Sequence, residues 1–331
     1  MLERQFEAVA EDSPGPRWQQ LFQRHWPAYR RWFLSEGARE RPYYLAARRA
    51  LRVHMPELLP LYERLCELAG GDDTAARFLP LYCPPAYVSG CSQAVWPGAG
   101  PALIRNYDYD PALLEGVILK SRWHEREVIA TSDCLWGVVD GINDTGLAVS
   151  LTFGGRRIVG QGFGMPLILR YILEFCESAR EAAMVLSRVP SHMAYNITAL
   201  DRQGEFLTVH VGPDRPAVVR ADPVTTNHQR SVEWREHGRA TATRERERFL
   251  NFRLREANSA GELIPAFLRS PIYHVAYGEG FGTLYTAVYR PGSGASYLWP
   301  EDRWEQSFGA FQEGVRTVRY PTAAVPRTLL H

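Results

Sequence analysis

Five short apolar runs follow one another between residues 102 and 153 with no helical stretch between them: ALIRNYDYD, GVILKSRW, REVIATSD, CLWGVVDGI and LAVSLTF. Each is rich in β-branched or aromatic residues and is closed by Gly, Asp or Pro, which is how a strand bounded by turns reads. Asn143-Asp144-Thr145-Gly146 is a strong turn signal between two of them. A doubly wound parallel sheet needs strands alternating with helices. That alternation is absent, so the run predicts antiparallel strands in a layered α+β fold.

The flanking segments complete this pattern. Residues 1–80 read as helical, with WQQLFQRHWPAYRRWFL and YYLAARRALRVHMPELLPLYERLCELAG carrying apolar residues three and four apart. Gly70-Gly71 ends the second stretch, and Asp72-Asp73-Thr74 can cap a further short helix. The helical period returns over residues 162–188. Strands are then expected at YNITALDR, EFLTVHV and AVVRAD, with Gln203-Gly204 as a turn. The charged stretch 229–260 reads as a solvated helix, and GTLYTAVYRPGSGASYLWP as a hairpin around Pro-Gly-Ser-Gly.

Composition removes several classes of function. At 331 residues the chain is long enough for a large core without staples. A formal net charge of +1 gives no electrostatic footprint for nucleic acid or an anionic membrane. No apolar run approaches the ~18 residues of a membrane span, and the first residues carry no apolar signal segment. The five cysteines are odd in number and lack a CxxC pair, which argues against a disulfide framework or a structural zinc. His124-Glu125 and the other histidines have no metal-ligand spacing. A soluble cytoplasmic protein without cofactor or metal is the expectation.

The chemistry concentrates at Ser89-Gly90-Cys91-Ser92 and, thirteen residues later, Arg105-Asn106-Tyr107-Asp108. Gly90 leaves its own carbonyl sterically open to the neighbouring thiol. Attack there would give an N→S acyl shift, and hydrolysis would cut Gly90–Cys91. The new terminus would carry a thiol and an α-amine. With a pKa of about 7.7–8.0, the amine is partly neutral near pH 7 and can act as general base for its own thiol. A buried cysteine that only packs is the competing reading. An intact Cys–His pair with His228 is another.

With these residues in place, the sequence resembles the acyl-coenzyme A:isopenicillin-N (penicillin) acyltransferase family of self-processing N-terminal nucleophile hydrolases. More distantly it is similar to the choloylglycine (bile salt) hydrolases and acid ceramidases. The resemblance rests on Gly90-Cys91, Arg105-Asn106-Tyr107-Asp108, Gly141-Ile142-Asn143-Asp144-Thr145-Gly146-Leu147, Thr226-Asn227-His228, Thr241-x-x-Arg244 and Gly282-Thr283-Leu284-Tyr285, in one order along the chain. It implies a four-layer αββα fold. Residues 1–90 would be a helical propeptide that stays as a small subunit, and residues 91–331 the catalytic chain.

The resemblance also implies roles. Cys91 is the nucleophile, Arg105 and Asp108 tune it, Asn227 donates to an oxyanion, and Arg244 completes the charge network. A donor near Thr152–Phe153 is expected as the second oxyanion contact, although Ser150-Leu151-Thr152-Phe153 lacks the Asn that bile salt hydrolases use close to this position. The implied substrate is a small acyl amide, with acyl-coenzyme A as a possible acyl donor. A silent, uncleaved binding relative is the alternative from another class.

Overall fold

A computed structural model describes residues 1–321. The chain opens with strand β1 (Leu2–Glu11), then helices α1 (Pro16–Phe33), α2 (Tyr44–His54), α3 (Leu59–Leu68) and α4 (Asp73–Phe78). Strands β2 (Gly90–Trp96), β3 (Ala102–Tyr109), β4 (Val117–Ser121), β5 (Val128–Asp133), β6 (Gly137–Asn143) and β7 (Ala148–Phe153) follow without a helix longer than one turn between them. Next come α5 (Met165–Phe175), α6 (Ala179–Arg188), β8 (Tyr195–Leu200), β9 (Phe206–Val211), β10 (Val218–Arg220) and β11 (Val224–Thr225). Helices α7 (Arg235–Ala240), α8 (Thr243–Glu256) and α9 (Ala260–Phe267) precede β12 (Gly282–Arg290), β13 (Gly294–Trp299), β14 (Asp302–Gln306) and β15 (Gly314–Tyr320).

The strands form two sheets. One runs β10-β9-β8-β7-β6-β5-β4-β1-β15 and the other β11-β2-β3-β12-β13-β14. Every pairing is antiparallel except β1 with β4. The period-two alternation of a strand divides its side chains between two faces. On β2 and β3, Cys91, Val95, Leu103 and Tyr107 join Ile118, Ile129 and Ile142 in a core between the sheets. Ala94, Ala102 and Ile104 point the other way, onto Leu250 of α8 and Leu263 and Phe267 of α9. Helices α1 to α6 cover the outer face of the larger sheet. The result is four layers, αββα, within the α+β class. Among the described residues no helix is long and apolar enough to cross a membrane.

The turn signals hold: Asn143-Asp144-Thr145-Gly146 joins β6 to β7, and Gln203-Gly204 joins β8 to β9. Asn143 Nδ2 donates to the carbonyls of Leu173 and Cys176, so this turn also anchors the end of α5. The Asp72 carboxylate accepts from Ala75 N at 3.0 Å and caps α4. The first segment needs correction. Residues 2–11 are not helical but a strand held between β4 and β15, in register from Leu2↔Tyr320 to Glu11↔Ser121. Phe6 and Ala8 alternate inward, and partners far along the chain decide the conformation. Residues 1–90 are therefore not a purely helical layer. They contribute an interior strand to the sheet built by the rest of the chain.

A second tie between the two parts is Tyr29 on α1. Its hydroxyl lies 2.7 Å from Glu115 Oε2 and 2.8 Å from Asp133 Oδ1. Burial, with the adjacent Glu115 charge, pushes the Asp133 carboxyl up to about 6. A carboxyl raised on folding stabilises the fold most below its unfolded value, and that contribution is lost as pH rises toward 6. Asp133→Asn is therefore expected to be more stable than wild type at pH 8, by about 2 kcal/mol, and no better at pH 4. Thermal denaturation of the pair across pH checks this; equal differences at both pH values would contradict it.

Candidate active site

Cys91 is the second residue of β2 and sits opposite Tyr107 of β3, with Gly90 opposite Asp108. It is fully buried. Cross-strand partners share a face, so Cys91, Arg105 and Tyr107 look toward the larger sheet. Gly90, Ser92, Asn106 and Asp108 look toward α8 and α9. The backbone on either side of Cys91 is thereby gripped from both layers.

On the inner face, Arg105 Nη2 donates to Cys91 Sγ at 3.3 Å and Nε to the Leu151 carbonyl at 3.1 Å. Its Nη1 pairs with Asp140, and its guanidinium lies 4.6 Å from the Tyr107 ring centre. Burial works against the Arg105 charge, but Cys91, Asp140, Tyr285 and Tyr107 outweigh it and hold the group above the ordinary guanidinium value. The Cys91 thiol moves up from its usual value. Burial is the main cause and the Asp108 charge adds to it, while Arg105 opposes both. Ser89 Oγ stands 3.7 Å from the same sulfur.

On the outer face, Arg246 of α8 reaches through the sheet edge. It is fully buried, with Nη1 donating to the Cys91 carbonyl at 2.9 Å and to Ser92 Oγ at 2.7 Å. The same nitrogen pairs with Asp108 Oδ2 at 3.4 Å, and Nη2 donates to Asn227 Oδ1 at 2.5 Å. Thr283 Oγ1 donates to the other Asp108 oxygen at 2.7 Å. His274 Nε2 lies 3.8 Å from Asp108 Oδ2, and burial holds that imidazole below its usual value.

Asn227 follows the short edge strand β11, whose pairing with β2 delivers it beside Cys91. Its Oδ1 accepts from Cys91 N at 3.1 Å as well as from Arg246. Two donors on Oδ1 fix the amide, so Nδ2 points to the carbonyls of Ser89 and Phe153, at 3.4 and 3.3 Å. Both donations are long, so this fixed N–H₂ keeps donor capacity for an acceptor brought closer to it.

The structure gathers Gly90, Cys91, Arg105, Asp108 and Asn227 within one bonded cluster. Arg244 is not in it. It is exposed at the first turn of α8, and the buried position two residues on is Arg246. The Thr-x-x-Arg spacing occurs twice here, as Thr241-x-x-Arg244 and Thr243-x-x-Arg246. Two residues turn a helix by about 200°, so only one register can face Cys91. Thr152 and Phe153 do not offer a donor to the Asn227 side. Thr152 Oγ1 donates to the Thr226 carbonyl at 2.9 Å, and Phe153 presents its carbonyl. Asn196, on the neighbouring strand, donates to Thr152 Oγ1 and to the Thr226 and His228 carbonyls, and so holds the 226–228 segment from below.

His228 also turns elsewhere. Its Nδ1 lies 3.0 Å from Thr243 Oγ1 and its Nε2 3.4 Å from Glu247. Among the described residues the side chains bonded to Cys91 Sγ are Ser89 and Arg105, not a histidine. Gly90 has a packing reason of its own. A Cβ there would meet the Phe281 ring at 2.4 and 2.9 Å.

The Cys91 sulfur thus has an arginine and a serine beside it and no histidine, and the Asn227 amide stands at its backbone nitrogen. Among curated protein sequences none matches this chain. Solved structures with similar architecture include penicillin V acylase from Agrobacterium tumefaciens, 13% identical, covering 69% of this chain and 90% of its own with a TM-score of 0.49. A mutant conjugated bile acid hydrolase from Clostridium perfringens is 11% identical over 70% of this chain and 97% of its own, at 0.44. A Caenorhabditis elegans N-acylethanolamine-hydrolyzing acid amidase ortholog is 17% identical over 65% and 98%, at 0.43. The sequence itself matches the family model described as acyl-coenzyme A:6-aminopenicillanic acid acyl-transferase over residues 96–303, more than half of the chain. The match begins five residues after Cys91 and runs to the start of β14, and by it the chain belongs to the acyl-coenzyme A:6-aminopenicillanic acid acyl-transferase family.

Proposed function

We propose that the chain cuts itself between Gly90 and Cys91 and then works as a cysteine amidohydrolase or acyltransferase on a small acyl amide. One observation carries the reading. The Cys91 sulfur, amide nitrogen and carbonyl are each held by a separate polar group: Arg105, Asn227 and Arg246. In the first step Sγ attacks the Gly90 carbonyl carbon, the Gly90–Cys91 C–N bond breaks, and the departing nitrogen takes the thiol's proton. Water then hydrolyses the thioester and frees Cys91 with an α-amine. In turnover that amine accepts the thiol proton and the thiolate attacks the substrate carbonyl. The protonated amine returns the proton to the leaving nitrogen. Water or an acceptor amine releases the acyl group, and the mechanism uses no metal or cofactor.

Asn227 Nδ2 is the oxyanion donor in this scheme, and Arg105 favours the thiolate. An aromatic cavity of about 170 Å³ lies two residues further along β3 than Tyr107. Tyr109, Tyr87 and Trp32 line it, and it suits the acyl group. Acyl-coenzyme A remains a candidate donor. All five cysteines are free thiols, in keeping with a reducing cytoplasmic setting.

Denaturing mass spectrometry tests the cleavage. From 37.6 kDa, pieces near ~10 and ~27 kDa are expected, the larger beginning at Cys91, with Cys91→Ala staying whole. Because the thiol of the intact chain is held above its usual value, freshly refolded protein is expected to cut faster as pH rises from 6 to 9. An uncut wild type across that range would sink the amine-base mechanism. Penicillin V, an N-acylethanolamine and a conjugated bile acid form the first substrate panel.

A further inference from the structure

The two sides of one short segment face different surroundings. Asn227 turns to Cys91, while His228 lines a polar cavity of about 400 Å³ on the other side. Helix α8 divides in the same way, with Arg246 on the Cys91 side and Arg244 in the cavity wall. Arg220 and Arg230 join Arg244 there, against two carboxylates, Asp222 and Glu247. Asp222 is taken by Arg220, and Glu247 faces His228. Arg230 and Arg244 have neither an ion pair nor a hydrogen bond among the described residues. Two guanidinium groups with free donors thus share one concave surface.

The floor holds a further polar group without a partner. His210 is 7% exposed and lines the same cavity. Its Nδ1 is sealed from solvent and has no hydrogen-bond partner. A ligand in the cavity bonds that nitrogen only once the ring turns it outward, and such a bond would satisfy an otherwise unpaired buried group. Arginine forks match the oxygens of carboxylate and phosphate groups.

We propose that this cavity is a binding site for a small oxyanion, a phosphate or carboxylate group, held by Arg230, Arg244 and His210 and separate from Cys91. The inference does not depend on self-cleavage or on any amidase activity. Desolvation holds the His210 imidazole below its usual value, with Asp222 opposing and Arg220 and His228 adding to the depression. The groups facing this ring are therefore Asp222 and Arg220 from the β10 edge and its following turn, and His228 from the loop after β11. A bound anion would favour the imidazolium and move the ring's titration upward.

The test is calorimetric titration of the full-length protein with inorganic phosphate and, separately, with acetate, alongside NMR titration of the histidine rings. Saturable binding is expected, weakened at least tenfold in the Arg230→Ala/Arg244→Ala double variant and unchanged in Arg31→Ala, which removes an exposed arginine of α1. Both replaced side chains are exposed, and the thermal midpoint of the double variant checks that it folds. The His210 resonance is expected to titrate at higher pH with the anion present. Binding of phosphate alone would assign a phosphoryl ligand; comparable binding of acetate would assign a carboxylate. Absence of saturable binding by both anions, or binding that survives the double variant, would overturn the proposal.

Discussion

Arg246→Met is expected to destabilise the fold by about 3–5 kcal/mol and to stop processing at Gly90–Cys91. The size follows from what the side chain leaves behind. Arg246 is the cation paired with the fully buried Asp108, and removing one partner of a buried pair strands the other charge in a medium that cannot solvate it. The Cys91 carbonyl and Asn227 Oδ1 lose a donor at the same time. Arg246→Lys keeps the charge but not the planar fork, and is expected to recover part of the stability and little of the processing. Arg244→Met, two residues away and exposed, is expected within about 0.5 kcal/mol of wild type. Urea midpoints with mass analysis of the same samples decide the matter. Equal losses at positions 244 and 246 would refute the assignment.

Asn227→Ala is expected to lower turnover of the fastest panel substrate by about 10²–10³ while leaving the fold in place. One donor to a developing oxyanion accounts for that range. The effect belongs in kcat rather than KM, because the contact strengthens only as the carbonyl oxygen gains charge. Asn227→Asp gives the necessary contrast. It keeps the acceptor for Cys91 N and Arg246 but removes the N–H₂, so a similar loss with a normal melting point isolates the donor role. A large rise in KM with unchanged kcat would show that Asn227 positions the substrate instead.

Much of this architecture is legible because it is local. The strand runs of residues 102–153 and the turn at Asn143–Gly146 depend on alternation and on turn chemistry, both read within a few residues. So does the placement of Cys91, Arg105 and Asp108, since β2 and β3 pair across a short connection. What escaped the sequence was set by distant partners or by helix phase. LERQFEAVAE becomes a strand because β15 lies beside it, some 300 positions along the chain. Arg244 and Arg246 satisfy the same spacing, and only the rotation of α8 chooses between them. His274 had no motif to announce it; it approaches Asp108 from a loop. The sequence leads to a donor near Thr152–Phe153, whereas the structure turns the Phe153 carbonyl to Asn227 and the Thr152 hydroxyl to the Thr226 carbonyl, a difference that lies in which atom faces outward.

The interior position of β1 bears on the proposed cut at Gly90–Cys91. Before the cut, joining β1 to β4 and β15 is a unimolecular event. After the proposed cut the same sheet would belong to two polypeptides, and unfolding would release both. Reassembly then depends on how often the pieces meet, so the midpoint of unfolding would shift with protein concentration where that of Cys91→Ala would not. Loss of the small piece would open the edges of β4 and β15 to pairing with other chains. Activation would thus exchange the ability to refold for a working nucleophile, and the mature enzyme would persist only as long as its first folding event endures.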